Sequence, residues 1–440
     1  MAASVFDSPL YARLFPSGEV GRLFTDSAEI RAMVLVEGAL ARAQGARGVI
    51  PELSAAAIHR ASLEIQLDPG ALADPTGQNG VSVPGLVALF RSEMQAPEHS
   101  VYVHWGATSQ DIIDTGLMLR LRQALTLMEA DLRSILNALA DQAAAHATTP
   151  MPARTYGQHA TPTSWGAVVA GFGAPLLDAL QELETLRAAS LWVSLSGAAG
   201  TASALGPEAS ALRADLAKAL GLFDPERSWH TDRTPILRIV DWMGRVMAAL
   251  GAFGQSLLGL TSTEVAEITL GGAGSSSTMP QKQNPVGPSV LVALSHQTTA
   301  LRATLQAGAQ HQHQRDGGAW FAEWLALPQL VLGTASALSQ GKTLTEGMTP
   351  NVARMAAGLE GLGLIHAEAL SFALAEQMPR PDAQAATKQL CQKAQSKGVS
   401  LLKLAKATHP ELDLAAFEHG KTMGQAPEEA RAFAASVKAL

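Results

Sequence analysis

The chain has a single cysteine, Cys391, among 440 residues. One thiol cannot form an internal disulfide, which excludes a disulfide scaffold and suits a reducing cytoplasm. Aromatic residues are scarce, 5% against 47% for the wider hydrophobic set. That balance disfavours a β-sandwich, which needs Val, Tyr and Phe, and favours closely packed, alanine-rich helices. Charge is sparse as well: the formal net charge is −7 and no block of like charges occurs. A nucleic-acid partner is therefore not expected. The opening MAASVFDSPLYARLF has no basic segment followed by an apolar run, so no signal peptide is expected. Uncharged stretches apolar enough to span a bilayer are also missing. The nearest, Val246 to Leu260, is interrupted by Gln255, Ser256 and glycines. The expectation is a soluble, cytoplasmic protein with no membrane partner.

What is present is helical periodicity. Residues 19–47 read as an amphipathic helix, and shorter helices are expected over 53–67 and 83–94. The run Leu121, Leu125, Met128, Leu132, Ile135, Leu139 is spaced four, three, four, three, four, a packing seam on a helix reaching from about Asp111 to Ala147. Two more long helices are expected, from about Thr163 to Leu195 with a kink at Pro175, and from Pro235 to about Leu270. Helices over 286–305 and 319–339 follow. Helices on the order of 50 Å long exceed the diameter of a small domain and need equally long partners. The reading is all-α, in three parts. Residues 1–110 form an N-terminal helical domain, 111–345 a central bundle of long helices continued by identical chains, and 346–440 a small C-terminal helical domain.

Three polar islands interrupt this pattern at the expected helix ends. The first is His104 to Asp111, HWGATSQD; the second is Arg154 to Thr161, RTYGQHAT; the third is the loop Gly271 to Pro288, GGAGSSSTMPQKQNPVGP. The loop is rich in hydroxyls and backbone N–H groups and carries one amine, Lys282, and one amide, Asn284. Such a donor set suits a substrate rich in carboxylates. Thr108 and Ser109 stand just before a helix N-terminus, where an anion is favoured. A later stretch, Gln310 to Trp324, holds Arg315, a candidate partner for a further carboxylate or else for Asp316 or Glu323. His311 and His313 are two apart, point to different sides of a helix and have no third ligand nearby, so no metal site is expected.

SSTMPQKQNP (Ser276 to Pro285) resembles the signature loop of the fumarase/aspartase superfamily of lyases, and the other two islands match that superfamily's remaining active-site segments in order. The resemblance covers essentially the whole chain, from VEGALARAQGARGVIP (Val36 to Pro51) onward. It implies the superfamily's three-domain fold and a homotetramer whose active sites are each assembled from three subunits. HWGATSQDIIDTG and the Gln310 to Trp324 segment are similar to those of the bacterial 3-carboxy-cis,cis-muconate cycloisomerases. By this resemblance Ser276 is the proton-transferring serine, with Ser277 the next candidate, and Lys282 stabilises the intermediate. Thr108, Ser109, Gln158, His159, Asn284 and Arg315 are expected to bind a tricarboxylate, and His104 to act beside it. Tyr156 is a departure, because related lyases place a histidine there to protonate the leaving group. Amines and hydroxide need such an acid, whereas a carboxylate leaves without one. Gln281 and Gln283 replace residues that are often His and Arg in relatives. The expected activity is a lactonising cycloisomerisation in the protocatechuate branch of aromatic degradation, through an aci-carboxylate and with no cofactor. An adenylosuccinate lyase or another C–N or C–O lyase is the alternative, and a catalytically silent relative the second.

Overall fold

The computed structural model describes residues 4–272, 274–275, 279 and 281–440. Helix α1 (Asp26–Ala46) starts where Thr25 Oγ1 accepts from the Ala28 N–H; a separate short helix, Gly18–Arg22, precedes it. Helix α2 spans Val83–Glu93 and α3 spans Ser109–Ala145. After α3 come two strands, β1 (Pro150–Thr155) and β2 (Gln158–Ser164), then α4 (Trp165–Gln181), α5 (Leu183–Ser190) and α6 (Thr234–Leu260). Short strands β3 (Ile268–Leu270), β4 (Gly274–Ser275) and β5 (Gln283–Asn284) follow. Helices α7 (Val286–Gly308) and α8 (Gly317–Gly347) and strand β6 (Met348–Pro350) lead into the C-terminal helices α9 (Ala367–Ala375), α10 (Arg380–Lys397), α11 (Leu401–Thr408) and α12 (Ala426–Lys438).

The protein is all-α. Among the described residues the strands form three two-stranded antiparallel ladders, β1–β2, β3–β6 and β4–β5. The seam of α3 is fully buried from Leu121 to Leu139, as is the apolar face of α6 from Ile236 to Leu257. Pro175 stands inside α4 without ending it.

Helix ends differ from the periodicity where side chains capture the backbone. The helix expected to start at Thr163 starts at Trp165, with Ser164 Oγ accepting from the Ala167 N–H, because 158–164 is paired with 150–155. The expected single helix is two in succession, α4 and α5, and α5 ends at Ser190 rather than Leu195, since the Ser194 N–H goes to Thr115 and those of Ser196 and Gly197 go to Asp111. Helix α6 stops at Leu260 rather than Leu270, because 268–270 pairs with 348–350. The 246–260 stretch is not the most membrane-like element. Among the described residues α8 alone is long and apolar enough to cross a bilayer, and 67% of its most apolar window is buried inside the protein, as in a core helix.

By contacts the chain divides into two compact units. One comprises Met1–Asp131, Ala179–Ala248 and Ala293–Ser339, the other Leu132–Asp178, Ala249–Val292 and Gln340–Leu440.

Candidate active site

In the first unit the site begins with the turn before α3. His104 and Gly106 both have left-handed backbones, φ +63° and +73°. A Cβ at Gly106 would stand 2.6 Å from Leu205 Cδ2, so the position needs glycine on two counts. Three side chains fix the turn: Arg91 donates to Val103 O at 2.8 Å, Gln44 to Trp105 O at 2.7 Å, and Glu37 Oε1 lies 2.7 Å from His104 Nδ1. Burial works against a charged imidazole at His104. The Glu37 carboxylate, with Asp111 behind it, outweighs burial and the opposing Arg91, and holds the pKa above the usual histidine value.

At the N-terminus of α3, Thr108 donates its N–H to Asp111 Oδ2 at 3.1 Å, the acidic half of a capping box. Asp111 is fully buried and also accepts from Ser194 Oγ, Ser196 N, Gly197 N and His230 Nε2, at 2.8 to 3.0 Å. Five donors compensate the desolvation of this one carboxylate.

Arg315 is held against the same helix end. Its Nε donates to Gln110 Oε1 at 2.9 Å, and its Nη2 to Thr108 Oγ1 at 3.3 Å and Ala198 O at 3.2 Å. The Gln110 amide is oriented because its Nε2 is already donated to Asp114 and to His230 O. Neither carboxylate open to Arg315 from the sequence takes it. Glu323 shares the buried Arg233 with Asp114, at 2.7 to 3.0 Å throughout. Burial opposes the Arg233 charge, but those two carboxylates hold its pKa well above the ordinary value. Asp316 caps α8, accepting from the N–H groups of Ala319, Gln312 and Gly318, which keep its carboxyl below the usual range. Among the described residues Arg315 has no carboxylate partner, so its charge is available to a ligand.

In the second unit the island expected at a helix end is instead a β-hairpin. Thr155 pairs with Gln158, and the two turn residues, Tyr156 and Gly157, are both left-handed at φ +52° and +74°. This is the type I′ pattern, which suits the strand twist but ordinarily takes Asn or Gly first. Tyr156 is fully exposed (105%), and Gln158 and His159 are exposed. The hairpin is rooted by Arg154, whose two Nη atoms grip the buried Glu267 carboxylate at 2.8 and 2.7 Å. His159 Nε2 lies 3.5 Å from the same guanidinium. A second hairpin closes the signature loop: Gly274 pairs with Asn284 and Ser275 with Gln283. It brings the two ends of the loop together, with Lys282 exposed and Asn284 half-buried. Ser276 and Ser277 lie outside the described residues.

The model of a lyase family matches residues 18–299. The 3-carboxy-cis,cis-muconate cycloisomerase of Pseudomonas aeruginosa is 40% identical over 88% of this chain and 85% of its own length. A nitrosuccinate lyase of Streptomyces davaonensis is 35% identical over 93% of this chain and 89% of its own length. The crystal structure of the 3-carboxy-cis,cis-muconate lactonizing enzyme from Pseudomonas putida superposes with a TM-score of 0.90 at 35% identity, covering 98% of this chain and 99% of that one.

The chain belongs to this lyase family, the fumarase/aspartase superfamily.

Within the lyase, Thr108, Ser109, Tyr156, Lys282 and Asn284 fall inside the matched region, whereas Arg315 falls outside it. The structure brings together His104, Thr108, Ser109 and Arg315 around one helix N-terminus. Tyr156, Gln158 and His159 stand on one hairpin of the other unit, Lys282 and Asn284 on another. Sequence reasoning missed Glu37, Gln110, Asp111, His230 and Glu267 as supports. The available signal was a polar residue inside an apolar run, as Glu37 is in MVLVEGALA.

Proposed function

We propose that this lyase is a cofactor-independent 3-carboxy-cis,cis-muconate cycloisomerase, forming 4-carboxymuconolactone. The observation that carries the reading is Arg315, a guanidinium without a carboxylate of its own beside the Thr108 hydroxyl and the N-terminus of α3. A guanidinium there supplies a positive subsite that a dicarboxylate does not need and a tricarboxylate does. Relatives named for this activity, 35% to 40% identical over most of the chain, support it.

In the lactonising direction a substrate carboxylate oxygen adds to the neighbouring double bond, forming the ring C–O bond. The displaced electron pair moves onto the carbon alpha to a second carboxylate, giving an aci-carboxylate. Lys282, Asn284 and loop N–H groups stabilise this dianion. Ser276 then delivers a proton to that carbon, and the loop donors stabilise the alkoxide left behind. No redox step occurs, so no cofactor is required. In the reverse direction the leaving group is a carboxylate, which accommodates Tyr156 where related lyases use a histidine. The same reading makes the protein a cytoplasmic homotetramer with active sites shared between subunits. Nitrosuccinate cleavage, a C–N lyase reaction, is the second reading, favoured by the Streptomyces relative.

The test is loss of the conjugated diene absorbance of 3-carboxy-cis,cis-muconate, with nitrosuccinate and adenylosuccinate run in parallel. Rapid decay with the other two untouched is the expected result, abolished in Ser276→Ala with the fold intact. An untouched diene with nitrosuccinate consumed selects the second reading.

A further inference from the structure

Helix α1 is buried along most of its length, yet it carries two polar side chains, Glu37 and Gln44, each 1% exposed. They are seven residues apart, two turns on one face. Both reach the same turn: Gln44 binds Trp105 O, and Glu37 Oε1 meets His104 Nδ1 at 2.7 Å. The second Glu37 oxygen, Oε2, is buried and has no partner among the described residues. A buried carboxylate held by one imidazole is tolerable when that imidazole carries a compensating charge.

The backbone points the same way. His104 sits at φ +63°, a left-handed conformation uncommon outside glycine, and such a conformation persists where surrounding contacts over-determine the geometry. The charged groups facing the ring are Glu37 from α1, Arg91 from α2 and Asp111 from α3. Asp111 has spent both oxygens on five donors, and Arg91 donates to the carbonyl of Val103. Among the described residues Glu37 alone bonds the imidazole, through Nδ1, so Nε2 is the nitrogen left for a ligand.

We infer that Glu37 is a positioning residue that keeps His104 an imidazolium and presents its Nε2–H to a substrate carboxylate at the Thr108 end of α3. The inference rests on the proposed reading of that end as a carboxylate subsite. It adds a second cation beside Arg315, placed from a different element.

The experiment is the pH profile of kcat/KM for Glu37→Gln, Glu37→Asp and His104→Gln with 3-carboxy-cis,cis-muconate. At pH 8, Glu37→Gln is expected to lose roughly tenfold or more, mostly in KM, because a histidine without its carboxylate partner is largely neutral there. The deficit shrinks toward pH 6, because an unassisted histidine protonates only near ~6.5. The alkaline limb therefore moves to lower pH in Glu37→Gln and is largely restored in Glu37→Asp. His104→Gln loses activity at every pH, and adding Glu37→Gln costs nothing more. A loss in Glu37→Gln that is uniform across pH overturns the inference. Independently of substrate, NMR of enzyme carrying ¹³C-labelled histidine follows the His104 resonance, identified by its disappearance in His104→Gln. Its titration must fall to lower pH in Glu37→Gln; an unmoved titration overturns the positioning role. If the wild type leaves carboxymuconate untouched while this titration does shift, the substrate reading fails and the Glu37 device stands.

Discussion

Arg315 shows what a side chain's geometry adds to its charge. Its guanidinium spans three acceptors, Gln110 Oε1, Thr108 Oγ1 and Ala198 O, from two of its nitrogens. A lysine would carry the same charge but not this fork, so Arg315→Lys should behave nearly as Arg315→Gln. Both are expected to raise KM for the tricarboxylate about 10- to 100-fold, the worth of one or two charge-assisted hydrogen bonds, with Tm little changed. Steady-state kinetics beside a thermal melt checks this; an unaltered KM would remove the third-carboxylate role. At this scale the proposed ligand donors could be named from the sequence, because Thr108, Ser109 and Lys282 sit in polar islands and Arg315 in the polar stretch Gln310 to Trp324. Their supports were not. Glu37 lies 67 positions from His104, His230 lies 119 from Asp111, and Glu267 lies 113 from Arg154. A polar residue in an apolar run can mark one member, as at Glu37, but nothing local names its partner.

Among the elements, legibility followed hydrophobic periodicity and failed where polar groups intervene. The α3 seam and the α6 face were readable because packing alone dictates them. The ends of α5 and α6 were not, since Asp111, Thr115 and the 348–350 strand decide them from afar. The second island looked like a helix end because nothing in RTYGQH carries the Asn-Gly or Asp-Gly mark of a tight hairpin. Tyr156 occupies the first turn position at φ +52° and is fully exposed. Tyr156→Gly should stabilise the chain by about 1 kcal/mol, relieving a left-handed non-glycine residue. Tyr156→Phe should leave turnover close to wild type, because the carboxylate leaving group needs no acid; a loss of roughly a thousandfold would make the phenol a general acid. Stability and rate thus separate the conformational role of this residue from its chemical one.

For the molecule as a whole, the proposed site residues fall into two sets. His104, Thr108 and Arg315 belong to one compact unit; Tyr156, Lys282 and Asn284 belong to the other. If sites are shared between subunits as proposed, inactive variants from different sets should complement. Mixing Ser276→Ala with Arg315→Gln under conditions that exchange subunits is expected to restore a fraction of wild-type activity, whereas either alone stays inactive or weak. A mixture no better than the sum of its parts would place each site within one chain. The contrast between Arg233 and Arg315 bears on how such a lyase changes over time. Replacing Arg233 strands Asp114 and Glu323 in the interior, so drift there is closed. Replacing Arg315 strands only neutral oxygens at the rim. With Arg315 holding a substrate carboxylate as proposed, selection can retune which acids the enzyme accepts by single steps at that position, without first having to rebuild the scaffold that performs the chemistry.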